Sequence, residues 1–446
     1  MPAPLLMRRF RAAALILFAS VSTAAADTLQ DALAVAYASN PTIRAERARL
    51  KATEELKAQA WSGALPQIDA QAAYSRVKDT QSLAPGVFGP GGSQTSKFNP
   101  LTAGVSAEQP IFTGFRNLNA IRQAQARVRA GGAQLIGVEQ DILRRVATAF
   151  FDVARDVTIY DSNLNNVEVL QRQKQEAELR FKVGEVTRTD VSQAEARLAG
   201  ARASLATAQA QLAVSRSLYG ELVGAPPGTL EADPALPGLP DSAESAHALA
   251  RAYAPIVVGA REAEEASRRQ VAIARGALAP TVSLTASYQY ADQPSTFVTQ
   301  DESLTYGVRA SVPLFSGGLN RSRIREARAL HDSARAQVDE AQRRAEAEVT
   351  ATWERLVAAR LTIDAASAQV EANELALEGV RREAQVGTRT TLDVLDAEQE
   401  LLNAEVRLAN AERDARVAAF ELLAAAGVLN PDALGIDAAS IIPTED

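Results

Sequence analysis

The chain has 446 residues, 47% hydrophobic but only 5% aromatic, so Ala, Leu and Val carry its apolar content, as in long, closely packed helices. It has no Cys and two His, which excludes disulfides, thiolate metal sites and thiol nucleophiles and leaves little for imidazole acid–base chemistry. The net charge of −7 makes the chain a poor ligand for nucleic acid.

At the N-terminus Arg8, Arg9 and Arg11 precede an apolar run from Ala12 to about Val21, and Ala24-Ala25-Ala26 precede Asp27. Basic start, short apolar core and Ala-x-Ala site read as a signal peptide over residues 1–26. The apolar run is shorter than the roughly 20 residues of a spanning helix. Its removal takes three positive charges and leaves the mature chain near −10 (−7 minus 3). Without Cys no lipidated N-terminal Cys is expected, and beyond residue 26 no run reaches 18 apolar residues. Any membrane insertion therefore has to use β-strands.

Residues 27–232 form a first unit. It opens with a helical segment broken at Asn40-Pro41. Ile68, Ala70, Ala72 and Tyr74 then alternate with polar neighbours, as do Leu101, Ala103, Val105 and Ala107, which predicts a β-hairpin over about 66–109. The intervening APGVFGPGGSQTSKFNP is rich in Gly, Pro and Ser and reads as its turn. A soluble half-buried hairpin alternates in the same way. Export, Tyr at the strand ends and the lack of any other membrane element favour a lipid-facing one.

The corner Pro110-x-Phe112-x-Gly114 leads into a helix from Asn117 to Val183, and its 67 residues span about 100 Å. Val146, Phe150, Val153, Val157, Tyr160, Leu164 and Val167 are spaced alternately by four and three, a heptad seam. The helix breaks at Val183-Gly184 and returns to about Gly224, giving a helical hairpin over about 113–223. The Pro-rich GAPPGTLEADPALPGLPDSAES follows.

Residues 233–446 repeat the unit. A constant offset of 203 pairs Pro110 with Pro313, Phe112 with Phe315, Gly114 with Gly317, Gly184 with Gly387, Asp190 with Asp393 and Glu195 with Glu398. Upstream the offset is 214, pairing Pro41 with Pro255 and Tyr74 with Tyr288, so the first unit carries 11 extra residues between Tyr74 and Pro110. The second β-hairpin falls at about 280–312 and the second helical hairpin at about 316–427, with its tip at Val386-Gly387. Val349, Trp353, Leu356, Ile363 and Val370 keep the heptad register, with Arg360 and Ser367 interrupting it.

Four strands cannot close a barrel alone. Two chains would give eight, an interior that side chains fill, and three would give twelve with an aqueous lumen, the simpler solution for a pore. A soluble coiled-coil scaffold would explain the heptads and the duplication but not four alternating segments. An enzyme finds no support: G-x-S-x-G, a phosphate-cradling Gly loop and a thiol nucleophile are all missing, and His247 and His331 lie far apart. No cofactor or metal is expected.

The elements TLQDALAVAYASNPTIRAERARLKA, ALPQIDAQAAY, QPIFTGFRN, VGEVTRTDVSQAEARL, VPLFSGGLN and VGTRTTLDVLDAEQELLNAE resemble the TolC family of outer-membrane efflux and secretion channels over the whole mature chain. The resemblance implies a mainly α protein with a β-barrel portion. In it a homotrimer of duplicated units forms a 12-stranded barrel in outer-membrane lipid, continuous with a periplasmic α-helical tunnel. It implies as partners a periplasmic adaptor protein and an inner-membrane transporter, either ABC or proton-driven. The first tip and the missing lipid-anchored Cys resemble the type I protein-secretion branch, with small-molecule efflux as the alternative.

The same resemblance implies a periplasmic gate of Thr189, Asp190, Arg389, Asp393 and Asp396. In it Arg389 reaches toward Thr189, Asp190 acts on the facing hairpin, and Asp393 and Asp396 form acidic rings around the lumen. It also implies adaptor contacts at Val183, Gly184, Val386 and Gly387, and barrel-to-tunnel corners at Pro110, Gly114, Pro313 and Gly317. Where the family pattern has a Tyr three residues before the second tip Gly, this chain has Ala384. Read from the residues alone, Asp190 and Asp393 also fit plain helix capping.

Overall fold

A computed structural model describes residues 28–83, 91–231, 234 and 236–436. The signal-peptide reading at 1–26 and part of the junction between the two units lie outside the described residues.

Asn40 and Ala254 each end one helix and begin the next, with a Pro at the first position of the second, where its missing N–H costs nothing. This gives α1 (Leu29–Ser39), α2 (Pro41–Ser62), α5 (Ala243–Tyr253) and α6 (Pro255–Gly276). The long helices are α3 (Arg116–Lys182), α4 (Arg188–Val223), α7 (Leu319–Gln385) and α8 (Thr391–Ala425). α3 and α7 are each 67 residues and start 203 apart, at Arg116 and Leu319. α3 pairs with α4 and α7 with α8 as antiparallel hairpins. α6 lies against both α3 and α7, while α2 packs on α3.

The core sits where α1, α3, α4 and α8 converge. Phe150, Phe151, Phe420, Tyr219 and Leu33 are fully buried there, with Phe151 stacked edge-on against Phe150 at 5.6 Å between ring centres. The heptad seam enters this core through Val146, Phe150 and Val153 and opens outward, so that Leu164 is exposed. Ala345, Val349, Leu356 and Leu422 form a second core beneath α5 and α6.

The strands are β1 (Gln67–Tyr74), β2 (Val77–Leu83), β3 (Gly92–Phe98), β4 (Leu101–Phe112), β5 (Thr281–Ser295) and β6 (Val298–Ser311). They pair antiparallel as a four-stranded sheet of order β1-β4-β5-β6 and a two-stranded extension of β2 with β3. The extension differs from expectation: Gly92–Phe98, read as turn from its composition, is a strand. Its polar residues pair with the equally polar β2, including a hydrogen bond between the Thr80 and Thr95 hydroxyls at 3.1 Å, so apolar alternation could not reveal it.

In the main sheet apolar residues line up across every pair on one face: Ala70 opposite Val105, Val105 opposite Tyr288, and Leu284 opposite Val308. That face is bare, with Ile68 70% and Tyr306 80% exposed. Among the described residues no helix is long and apolar enough to cross a membrane.

Candidate functional site at the helical tips

Both tips are built alike from sequence. Gly184 and Gly387 adopt φ of 82° and 81°, where a side chain is strained, and let the chain reverse. The Glu185 and Thr388 N–H groups then donate back to the Arg180 and Glu383 carbonyls, closing the long helices. Val183 and Val386 are left 72% and 76% exposed at the extremity.

The returning helices start on reciprocal caps. The Thr187 Oγ1 accepts from the Asp190 N–H, and the Asp190 carboxylate accepts from the Thr187 N–H and hydroxyl at 2.8 Å each. Thr390 and Asp393 repeat the arrangement at 2.8 and 2.7 Å. These bonds, the backbone one foremost, hold both aspartates below the usual carboxylate range. Asp190 and Asp393 thus do what a helix start requires.

The remaining charges are copy-specific. Arg389 donates to Glu383 across its own turn at 2.9 Å and lies 4.0 Å from Asp393. Its pKa is raised, chiefly by the hydrogen bond to Glu383. Within one chain its partners are therefore on its own tip; it does not meet Thr189, which is exposed on α4. Where the second copy has Arg389 the first has Val186, and its local ion pair is Arg180 with Glu185 at 3.1 Å.

Asp396 is not a free acid: it is bonded to Arg197 of α4, in the other hairpin. Nearby, the buried Glu398 is paired with Arg381 of α7 and accepts from Gln173 of α3 at 3.2 Å. Leu395, 1% exposed, fills a small core with Leu170, Leu198 and Ala201 of the first hairpin. α8 thus meets the first hairpin through Leu395, Asp396 and Glu398. Sequence reading missed Arg197, Gln173, Arg381 and Leu395. A signal existed for Leu395, whose counterpart at offset 203 is Ser192, just as that of Asp396 is Gln193. Ala384 lies in the last turn of α7 and takes the Gly387 N–H on its carbonyl.

At the opposite end, Pro110 sits at an irregularity in the β4–β5 pairing, and Gly114 turns the chain into α3 at φ 63°. A Cβ there would lie 2.5 Å from the Gly276 carbonyl oxygen. Pro313 follows β6 and Gly317 has φ 60°, but no described atom lies within 4 Å of its Cβ position. Among the described residues no cluster of His, Cys, Asp or Glu could hold a metal.

A family model described as Outer membrane efflux protein matches residues 28–219 and 247–428. The chain is 33% identical to Outer membrane efflux protein BepC of Brucella suis, over 97% of this chain and 93% of that protein. It is 26% identical to Outer membrane protein TolC of Vibrio cholerae, over 91% and 92%. Against Alkaline protease secretion protein AprF of Pseudomonas aeruginosa it is 25% identical, over 94% and 88%. Its fold matches the outer membrane protein VceC of Vibrio cholerae with a TM-score of 0.76 at 23% identity, covering 90% of this chain and 96% of that one.

Proposed function

As this chain belongs to the outer membrane efflux protein family, it is an outer-membrane channel protein and not an enzyme; from that premise we propose that three copies form the exit duct of a tripartite export system whose cargo is protein secreted by the type I route. The observation that carries the channel is the sheet. Four strands with one bare apolar face end in two free edges, β1 and β6, which hydrocarbon does not tolerate. Three copies joined edge to edge give twelve strands, enough for an aqueous lumen, and remove every edge.

Helices of about 100 Å then carry the lumen into the periplasm. Their tips, with Val183, Gly184, Val386 and Gly387 outermost, meet the adaptor, and an inner-membrane transporter, ABC or proton-driven, supplies the cargo. Thr189, Asp190, Arg389, Asp393 and Asp396 form the gate, and Arg197 joins them as the partner of Asp396. With Asp396 paired, Asp393 provides the main acidic ring of the resting state.

Secretion is supported by the match to AprF, a protein named for protease secretion, across nearly the whole chain. Small-molecule efflux is the second reading, favoured by the higher identity to BepC, named as an efflux protein. Deleting the gene and assaying both outputs decides between them. Loss of a type I substrate from the medium, with dye and antibiotic tolerance unchanged, is the expected result. Hypersensitivity with normal secretion would overturn it in favour of efflux.

A further inference from the structure

The first β-hairpin runs past the main sheet without changing register. Tyr74 stands opposite Leu101, the Ser75 N–H donates to the Pro100 carbonyl, and Val77 stands opposite Phe98, so β2 and β3 extend β1 and β4 residue for residue. The alternation of faces carries through. The bare face that shows Ile68, Ala70, Ala72 and Tyr74 goes on, beyond Tyr74, to Arg76, Lys78, Thr80 and Ser82. β4 has 12 residues, enough at about 3.4 Å each and a tilt near 40° to cross an apolar band roughly 25 Å tall. The helices leave from its Phe112 end, so Tyr74 and Leu101 mark the outer boundary of the lipid.

Just outside that boundary the hairpin sets Lys78 directly opposite Lys97. Side chains so opposed share a face, with Cβ atoms about 4.5–5.5 Å apart, and like charges there repel. Both lysines are exposed, and neither they nor Arg76 have an ion pair among the described residues. Other polar groups of the hairpin are matched. Thr80 and Thr95, next out on the same face, bond each other at 3.1 Å. Asp79 lies on the opposite face and accepts from Gln81 at 2.9 Å. The second hairpin does not repeat the pair: adding 214 to Lys78 and 203 to Lys97 gives Asp292 opposite Gln300, as found. Two opposed cations on the lipid-side face call for an anion, and what borders that face is lipid.

We propose that Lys78 and Lys97, with Arg76 beside them, form a binding site for the phosphate groups of outer-leaflet lipid. Along the strand Arg76 lies about 7 Å and Lys78 about 13 Å beyond Tyr74, and their stems can lie back along apolar surface toward the headgroups. A phosphate between the two ammonium groups accepts from both and turns a repulsive pair into two charge-assisted hydrogen bonds. Bound there, the lipid clamps β2 to β3 and anchors the hairpin at the membrane surface. The second hairpin, with Asp292 and Glu302 on the same face, repels such a group. The proposal rests on the outer-membrane channel reading and adds a ligand to it.

The full-length protein in detergent is titrated with lipid A carrying two phosphates, and bound lipid is read by native mass spectrometry. K78Q/K97Q should weaken binding roughly twentyfold, about fivefold for each lysine. K78R/K97R keeps both charges and should bind like the parent. R309Q, which removes a base from the opposite face of the sheet, should also bind like the parent. Lipid A stripped of its phosphates should bind the parent as weakly as intact lipid A binds K78Q/K97Q, and inorganic phosphate should not displace the lipid.

Unchanged binding by K78Q/K97Q would overturn the proposal, as would an equal loss in R309Q, which would mark a bulk charge effect. Full displacement by inorganic phosphate would make this a site for free phosphate and overturn the lipid. The same spectra give the oligomeric state, so a parent that is not a trimer overturns the channel reading instead. If K78Q/K97Q does not assemble, K97Q alone, with its expected loss of about fivefold, decides the matter.

Discussion

The two helical tips are built from one motif and put to different uses. Each reverses at a Val-Gly pair, each starts its returning helix on a reciprocal Thr–Asp cap, and the bond lengths agree within 0.1 Å. The second tip then adds Leu395 and Asp396, which dock on the first hairpin, where the first tip has Ser192 and Gln193; Glu398 and its twin Glu195 are the same residue with different partners. Ser192 is exposed, and Glu195 reaches Lys174 of its own hairpin at 3.6 Å. The caps that the copies share are what any helix start needs; Leu395 and Asp396, which they do not share, fix one hairpin to the other. Acid in a tip is thus not by itself a functional signal, but a departure from the twin sequence is.

The largest way to break the comparison is Leu395→Ala. Emptying a fully buried Leu site should cost about 2–5 kcal/mol, read as a lower urea midpoint of the detergent-solubilised protein. Ser192→Ala, on an exposed face, should stay within about 0.5 kcal/mol. Equal losses at the two sites would remove the asymmetry.

The caps should behave oppositely, as equals. Thr187→Ala and Thr390→Ala should each cost about 1 kcal/mol, seen as faster amide exchange confined to the first turn of α4 or α8. The pH dependence follows from the depressed aspartates. A carboxylate whose folded pKa lies below its unfolded value of about 4 stabilises the fold fully above that pH. The contribution is lost as pH falls through the lower folded value. Protection at both tips should therefore hold at pH 5 and decline together below pH 4 after correction for intrinsic exchange, and the Thr→Ala variants should show a shallower decline.

Most of the architecture was legible because it rests on long-range periodicity. The heptads, the Pro breaks before α2 and α6, the tip glycines and the 203-residue offset all survive in a single sequence. β2 and β3 were not legible, since two polar strands paired with each other need no apolar face. Nor were the partners of the tip charges. Arg197 sits 199 residues from Asp396 in an Ala-rich helix, and nothing local in ARLAGAR marks it as the cation that α8 will meet. Nor was Glu383 legible as the partner of Arg389 within one chain, since it stands six residues away and needs the helix reversal to come within 2.9 Å.

The smallest effect tests the asymmetry at its most specific point. Arg197 and Asp396 are about half exposed, so their bond should contribute no more than about 0.2–1 kcal/mol and be screened by salt. Its counterpart at offset 203 would be Gln193 with Glu400, which cannot pair as ions, so the link occurs at one of the two kinds of joint between hairpins. Asp396→Asn and Arg197→Gln should therefore loosen alternate joints around the ring without unfolding either hairpin. In planar bilayers at 0.1 M salt each should raise the open fraction by about twofold to fivefold, the change expected from about 0.4–1 kcal/mol. The increase should vanish near 1 M salt, where screening reaches about 3 Å. The reciprocal variant R197D/D396R restores opposite charges at the same place and should return the open fraction to that of the parent. If the reciprocal variant opens as readily as the single ones, the bond between the hairpins does not hold the tip closed, and Leu395 and Glu398 are left to account for the joint.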